Sequence, residues 1–186
     1  MATVILRPTS TTSQAGWASS NIHTIIGDNN TSTGVAQNSV TCNFTGVLAN
    51  LDSGLSGATI NSFTISLNGK AGRSGASSVD MSLFHSSDGI FATETKSFSG
   101  LQVVQTTSAR TTQQDGSSAL TFAYINDCSV KIEPNTQGTT AYELFVTVDY
   151  TAAASGYGND VNGVASDSIA KVDGVATANI EKIIGI

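Results

Sequence analysis

Apolar and polar residues alternate with a period of two in stretch after stretch up to Tyr150, the signature of half-buried strands. The chain opens with one, TVILR. The run NSVTCNFTG sets Val40, Cys42 and Phe44 on one face and Thr41, Asn43 and Thr45 on the other. TINSFTISLNG turns Phe63, Ile65 and Leu67 inward and then reaches Asn68-Gly69, a dipeptide that predicts a tight turn. SSVDMSLFH offers Val79, Met81 and Leu83; ALTFAYI offers Leu120, Phe122 and Tyr124; CSVKIE offers Val130 and Ile132. AYELFVTVDY is the clearest, with Tyr142, Leu144, Val146, Val148 and Tyr150 on one face. Clusters of Gly, Ser, Asn and Asp separate these runs, and no capped amphipathic stretch of helical length appears among them. Pro8 falls at a strand end and Pro134 in a turn, where a missing N–H is tolerated. Half-buried strands at a spacing of roughly 10–20 residues predict an all-β chain, an antiparallel β-sandwich of two facing sheets. Roughly eight to ten strands with some long crossing loops predict a jelly roll rather than an immunoglobulin sandwich.

Past Tyr150 the texture changes. Residues 1–151 read as the sandwich domain, 152–160 as a small-residue linker, and 161–186 as a tail built on an eleven-residue repeat. Val161-Asn162-Gly163-Val164 returns as Val172-Asp173-Gly174-Val175 and, in worn form, as Ile183-Ile184-Gly185-Ile186. Two structures compete for it. An eleven-residue apolar period suits a right-handed helical supercoil. Against that stand three glycines, each costing about 1 kcal/mol in a helix, and a β-branched majority. Asn-Gly and Asp-Gly between valines are also strong hairpin signals, so short strands joined by tight turns are the expectation, a β-turn repeat extension. Such ribbons lack a core of their own. The tail therefore reads as a docking element whose contact residues are Val161, Val164, Ile169, Val172, Val175, Ile180, Ile183 and Ile186. The competing reading packs it on its own domain.

Charged residues make up 12% of the 186-residue chain, about half the usual ~25%. The net charge of −6 and the absence of any Lys/Arg cluster argue against nucleic acid as a partner. No stretch approaches the ~20 apolar residues of a membrane span, so no membrane partner is expected. MATVILRPTS does not read as a signal peptide, which points to synthesis in a cytoplasm, whatever the final location. Cys42 and Cys128 both fall on apolar faces. Buried reduced thiols are the expectation, with a disulfide left open if their strands face each other.

Candidate chemistry is sparse. His23 in NIHTII, in a strand or brief turn, and His85 at a strand end have no obvious catalytic neighbours, and no serine stands in G-x-S-x-G. Carboxylates from Asp80 to Asp149 are scattered over separate strands and loops, and nothing selects a pair. The expectation is no enzyme, no catalytic residue and no cofactor. GDNNTSTG around Asp28 has oxygen donors, yet a single carboxylate is thin for Ca²⁺, and no metal site is expected. LNGKAGRSG lacks the phosphate-loop spacing and reads as a hairpin tip. Trp17, beside Gly16, either plugs the end of the sandwich or stacks on a sugar.

The opening TVILRPTSTTSQAGW and the closing AYELFVTVDYT resemble the frame of jelly-roll domains in virion proteins of tailed bacteriophages. In that group an LRP strand and a Gly-Trp loop come first, and a strand ending in an aromatic residue comes last. The match spans residues 3 to 151. The acidic stretch that usually follows the Trp is missing; NIHTIIGDNNTSTG carries only Asp28. IAKVDGV and DVNGV are likewise similar to the I-x-K-V-N-G-V tails of phage structural proteins. The resemblance implies a non-enzymatic virion protein, first of all a capsid decoration or cement protein. It would form a trimer or dimer and bind other virion proteins, the major capsid protein foremost. The alternative it leaves is a glycan- or receptor-binding jelly roll of a tail fibre or baseplate, with Trp17 as the glycan contact.

Overall fold

The computed structural model describes residues 1–39, 41–72, 75–136 and 138–153, together with the backbone of 171–172 and 175–176. The chain divides into two units, Met1–Thr151 and Ala152–Ile186. In the first, the elements in chain order are β1 (Ala2–Leu6), β2 (Pro8–Ala15), α1 (Ile22–Ile26), β3 (Val35–Ala36), β4 (Asn43–Leu48), β5 (Thr59–Ala71), β6 (Ala76–His85) and β7 (Gly89–Ser99). There follow β8 (Val103–Thr106), α2 (Phe122–Asn126), β9 (Cys128–Pro134) and β10 (Thr139–Thr151).

The strands form two antiparallel sheets. The first runs β1-β10-β5-β8, with β3 also paired to β10; the second runs β2-β4-β9-β6-β7. From β1 to β10 every connection crosses from one sheet to the other except the β6–β7 hairpin. That alternation, with β10 and β9 inserted beside early strands, is the wrapping of a jelly roll. The fold is therefore an all-β antiparallel sandwich of jelly-roll type.

The period-two pattern builds the core directly. Phe63, Ile65 and Leu67 of β5 and Leu144, Val146 and Val148 of β10 line the inner face of the first sheet, none more than 1% exposed. Val79, Met81, Leu83, Val130 and Ile132 face them from the second sheet at 0%. Phe63 meets Phe91 of β7 edge to face at 5.9 Å across the gap. Each such side chain contributes about 1.5–3 kcal/mol on burial.

Several expectations are corrected. Asn68-Gly69 makes no turn: β5 continues through it, with Asn68 opposite both Glu143 and Val104, and Gly69 opposite both Ala141 and Val103. Ladder bonds on both flanks override the local turn preference. Tyr142 is displaced by a register shift between Ala141 and Glu143, so its ring packs over Gly34 and Lys70 rather than in the core. ALTFAYI holds a helix, not a strand: the Thr121 hydroxyl accepts a hydrogen bond from the Tyr124 amide at 3.1 Å and caps α2. NIHTII likewise forms α1, burying Ile22 and Ile26 four residues apart. β4 starts only at Asn43, after Cys42; Val40 lies outside the described residues. Pro134 ends β9, opposite Val79, instead of sitting in a turn.

β7 shows no simple alternation, for a physical reason. Between Met81 and Leu83 of β6 the register of β7 slips by one residue, and Ala92 takes φ 54°, a left-handed backbone. The slip reverses which face each residue uses, so Phe91 and Phe98, of opposite parity, are both buried. Glu94 and Lys96 then share the face of Phe98 on this edge strand and pair with each other at 2.8 Å.

Cys42 and Cys128 are buried and free. Phe44 is opposite Ile132 and Val47 opposite Ser129, so the two cysteines lie toward opposite ends of the β4–β9 pair, too far apart to bridge. Burial pushes both thiols up to about 12.

In the second unit, β11 (Lys171–Val172) pairs antiparallel with β12 (Val175–Ala176), with Val172 opposite Val175. This copy of the repeat is a ribbon, and the helical alternative fails for it. Val161, Val164, Ile169, Ile180, Ile183 and Ile186 lie outside the described residues, as does residue 154 onward of the linker.

Candidate binding surface

The outer face of the second sheet is built in ranks by its register. Thr45 of β4 lies between Ser13 of β2 and Lys131 of β9. One rank along, Val47, Ser129, Phe84 and Ile90 follow one another on β4, β9, β6 and β7. On the opposite side Glu133 stands beside Asp80, and Asn43 beside Ala15. Of these residues Ser13, Asn43, Thr45, Phe84, Ile90, Lys131 and Glu133, together with Thr12, line an open groove of about 290 Å³ that crosses the sheet. Its apolar end is Phe84, 38% exposed, with Ile90, 47% exposed. Its polar end carries the Lys131–Glu133 ion pair at 2.8 Å. Among the described residues no hydrogen bond engages the side chains of Asn43, Thr45, Thr12 or Ser13, although Thr45 is only 8% exposed. Nothing in the sequence marks this groove, because its residues come from five strands whose order is not the chain order.

Trp17 is not part of it. The indole is 8% exposed within the core, its backbone bridges to Gln37, and its Nε1 donates to the Asn43 carbonyl at 2.9 Å. It plugs the sandwich, the first of the two roles its sequence allowed, and its buried indole does not suit the alternative of a glycan contact. Asn43 thus links the plug to the groove: its carbonyl holds Trp17 while its side chain serves the outer face.

The histidines are structural. His23 Nδ1 lies 2.8 Å from the Thr11 hydroxyl and ties α1 to β2. His85 is buried, stacked on Tyr124 at 4.0 Å with the rings 9° from parallel. Its Nδ1 accepts from the Ser87 amide at 3.3 Å, and Asp88 Oδ2 is 3.4 Å away. Burial pushes the Tyr124 phenol up to about 12, so it is no base at neutral pH. The carboxylates do turn work: Asp115 accepts from the Ser118 hydroxyl at 2.5 Å and from the Ser117 and Ser118 amides, which hold it down at about 2. A hydrogen bond from Lys96 holds Glu94 below the usual carboxylate range. Asp28 and Asn30 accept from the Asn30 and Ser32 amides, each at 2.9 Å. Among the described residues no three His, Cys, Asp or Glu side chains gather as a metal cluster, and no helix is long and apolar enough to cross a membrane.

No protein-family model matches the chain, and no curated protein does. Solved structures with a similar arrangement include the C-terminal CBM6 of LamC, a marine laminarinase from Zobellia galactanivorans. It is 9% identical with a TM-score of 0.46, over 79% of this chain and 98% of that one. A second is the carbohydrate binding module CBM6cm-2 of Cellvibrio mixtus lichenase 5A, in complex with cellotriose, at 11% identity and TM-score 0.43, over 80% and 97%. A third is the Podospora anserina GH26-CBM35 β-(1,4)-mannanase, at 12% identity and TM-score 0.34, over 81% of this chain and 28% of that one. At these scores the likenesses carry no argument about what this chain binds.

Proposed function

We propose that the protein is a non-enzymatic structural component of a tailed-phage virion, a decoration or cement protein on the capsid surface. What supports the reading is one pairing. β1, which holds the TVIL start of the opening signature, and β10, which holds AYELFVTVDYT, lie side by side in a jelly-roll sheet, from Ala2 opposite Tyr150 to Leu6 opposite Val146. The two ends of the stretch that resembles virion jelly rolls, residues 3 to 151, thus meet in one ladder that closes the domain on itself.

The tail is the anchor in this reading. Its described ribbon has two residues per strand, far short of what holds together unaided. Val161, Val164, Ile169, Val172, Val175, Ile180, Ile183 and Ile186 supply apolar contacts to the major capsid protein or a neighbouring copy. The working form is a dimer or trimer on the virion. Contacts made by shape and hydroxyls, in a chain with 12% charged residues, hold across changing salt.

Deleting residues 156–186 and measuring attachment to isolated particles tests the anchor; occupancy should fall to background. Full occupancy of the shortened chain would end the anchor reading. Copy number per purified virion tests the location: hundreds of copies mean capsid, a handful mean a tail fibre or baseplate.

A further inference from the structure

We propose that the groove across the outer face of the second sheet is a binding site for a neutral glycan. Three features carry this, and the first is the division of the surface. A pyranose ring has an apolar C–H face and a rim of hydroxyls, so its site needs a flat apolar platform beside convergent donors and acceptors. Phe84 and Ile90 form such a platform as cross-strand neighbours, and the polar end begins on the next strand, about 4.8 Å away.

The second feature is open hydrogen-bonding capacity. The Asn43 amide and the hydroxyls of Thr45, Thr12 and Ser13 face the groove with no partner among the described residues. A carboxamide and three hydroxyls can both donate and accept, which matches the sugar hydroxyl and neither a pure anion nor a pure cation.

The third is charge. The groove's two ionic groups, Lys131 and Glu133, neutralise each other at 2.8 Å. Asp80, in the adjoining rank, is tied to Thr95 at 2.5 Å and to Asn135 at 2.7 Å. An anionic sugar would have to break the Lys131 pair and face Glu133 unscreened; a neutral one meets a balanced dipole. The lining comes from all five strands, which span about 19 Å, so the site's extent matches a chain of sugars rather than one terminal sugar.

The inference is independent of the capsid reading, because it concerns the sandwich alone and its test uses no particles. The full chain is titrated by calorimetry and amide NMR with neutral tetrasaccharides of glucose, mannose and galactose, and with tetragalacturonate. At least one neutral probe should bind, with shifts confined to β2, β4, β6, β7 and β9. Phe84→Ala should weaken it about tenfold. Thr45→Val, which keeps shape and removes the hydroxyl, should weaken it severalfold, while Leu101→Ser, on another surface, should leave it unchanged. Raising NaCl from about 0.05 to about 0.5 M should change affinity less than about twofold. Since Phe84 is on the surface, thermal midpoints of the variants should match the parent, which separates lost binding from lost folding.

Binding to none of the neutral probes overturns the site. So does binding that Phe84→Ala leaves intact, or a solution dimer that Phe84→Ala dissolves, which would make the groove an interface between copies. Stronger, salt-sensitive binding of tetragalacturonate overturns the neutral class.

Discussion

On the outer face of the first sheet the polar groups bond to one another. Arg7 reaches Glu143 and Asn29, each at 2.6 Å, and lies over the Phe145 ring at 5.6 Å. Ser66 and Thr106 share a hydrogen bond at 2.9 Å, and Asn61 reaches Thr151 at 3.1 Å. Arg7 Nε, Asn68 Oδ1 and Asp149 Oδ1 are the buried exceptions without a partner. On the outer face of the second sheet Thr12, Ser13, Asn43 and Thr45 leave their side chains unengaged beside exposed Phe84 and Ile90. Similar residue types thus do opposite work. One face engages most of its polar groups with each other and stabilises the fold; the other keeps its capacity for something outside.

The largest effect should come from the layer both faces rest on. Leu144 is fully buried between the sheets, and Leu144→Ala should cost about 2–5 kcal/mol in chemical denaturation. The two faces should then melt in one transition; separate transitions would break the comparison by making them independent bodies. Next comes the face of the first sheet. Glu143→Gln removes the charge opposite Arg7, whose side chains are 9% and 24% exposed, and should cost about 1–3 kcal/mol. It should leave NMR signals of the groove where they were. A neutral outcome would mean the ion pair contributes little and the first face is no more structural than the second.

The smallest effect belongs to neither face. Asp115, in a surface turn, has its carboxyl held at about 2 against an ordinary 3.8. A depressed acid stabilises the fold above its unfolded value, and that contribution fades as pH falls from about 4 through about 2. Asp115→Asn should flatten this part of a plot of thermal midpoint against pH. An unchanged slope would assign acid sensitivity instead to Glu94, which a hydrogen bond from Lys96 also holds low.

Much of the fold was legible where alternation is uninterrupted. β5, β6, β9 and β10 put inward the residues their pattern predicts, Phe63, Met81, Val130 and Leu144 among them. Legibility failed where three dimensions overrule local signals. Asn68-Gly69 looks like a turn until two neighbouring strands bind it on both sides. Phe91 and Phe98 cannot both be inward in a regular strand, and only the irregular Ala92 reconciles them. Thr121 caps a helix in a run whose alternation suggests a strand. The groove was out of reach for another reason: Thr45, Lys131 and Phe84 are separated widely in sequence and adjacent only through the order β4-β9-β6. Trp17 was the visible aromatic, and it turned out to be the plug, while Phe84, hidden within an alternating run, is the exposed one.

The position of β10 has a consequence for how the protein is made. It lies between β1 and β5, yet it is the last strand of the domain to leave the ribosome. Until then the first sheet lacks its central plank, and the opening strand has no ladder partner. Closure therefore waits for nearly the whole domain to be synthesised, and such long-range pairing is slow. A nascent chain cut short before Val146 should leave Phe63 and Ile65 without their β10 neighbours and become a client of chaperones, not a smaller folded body.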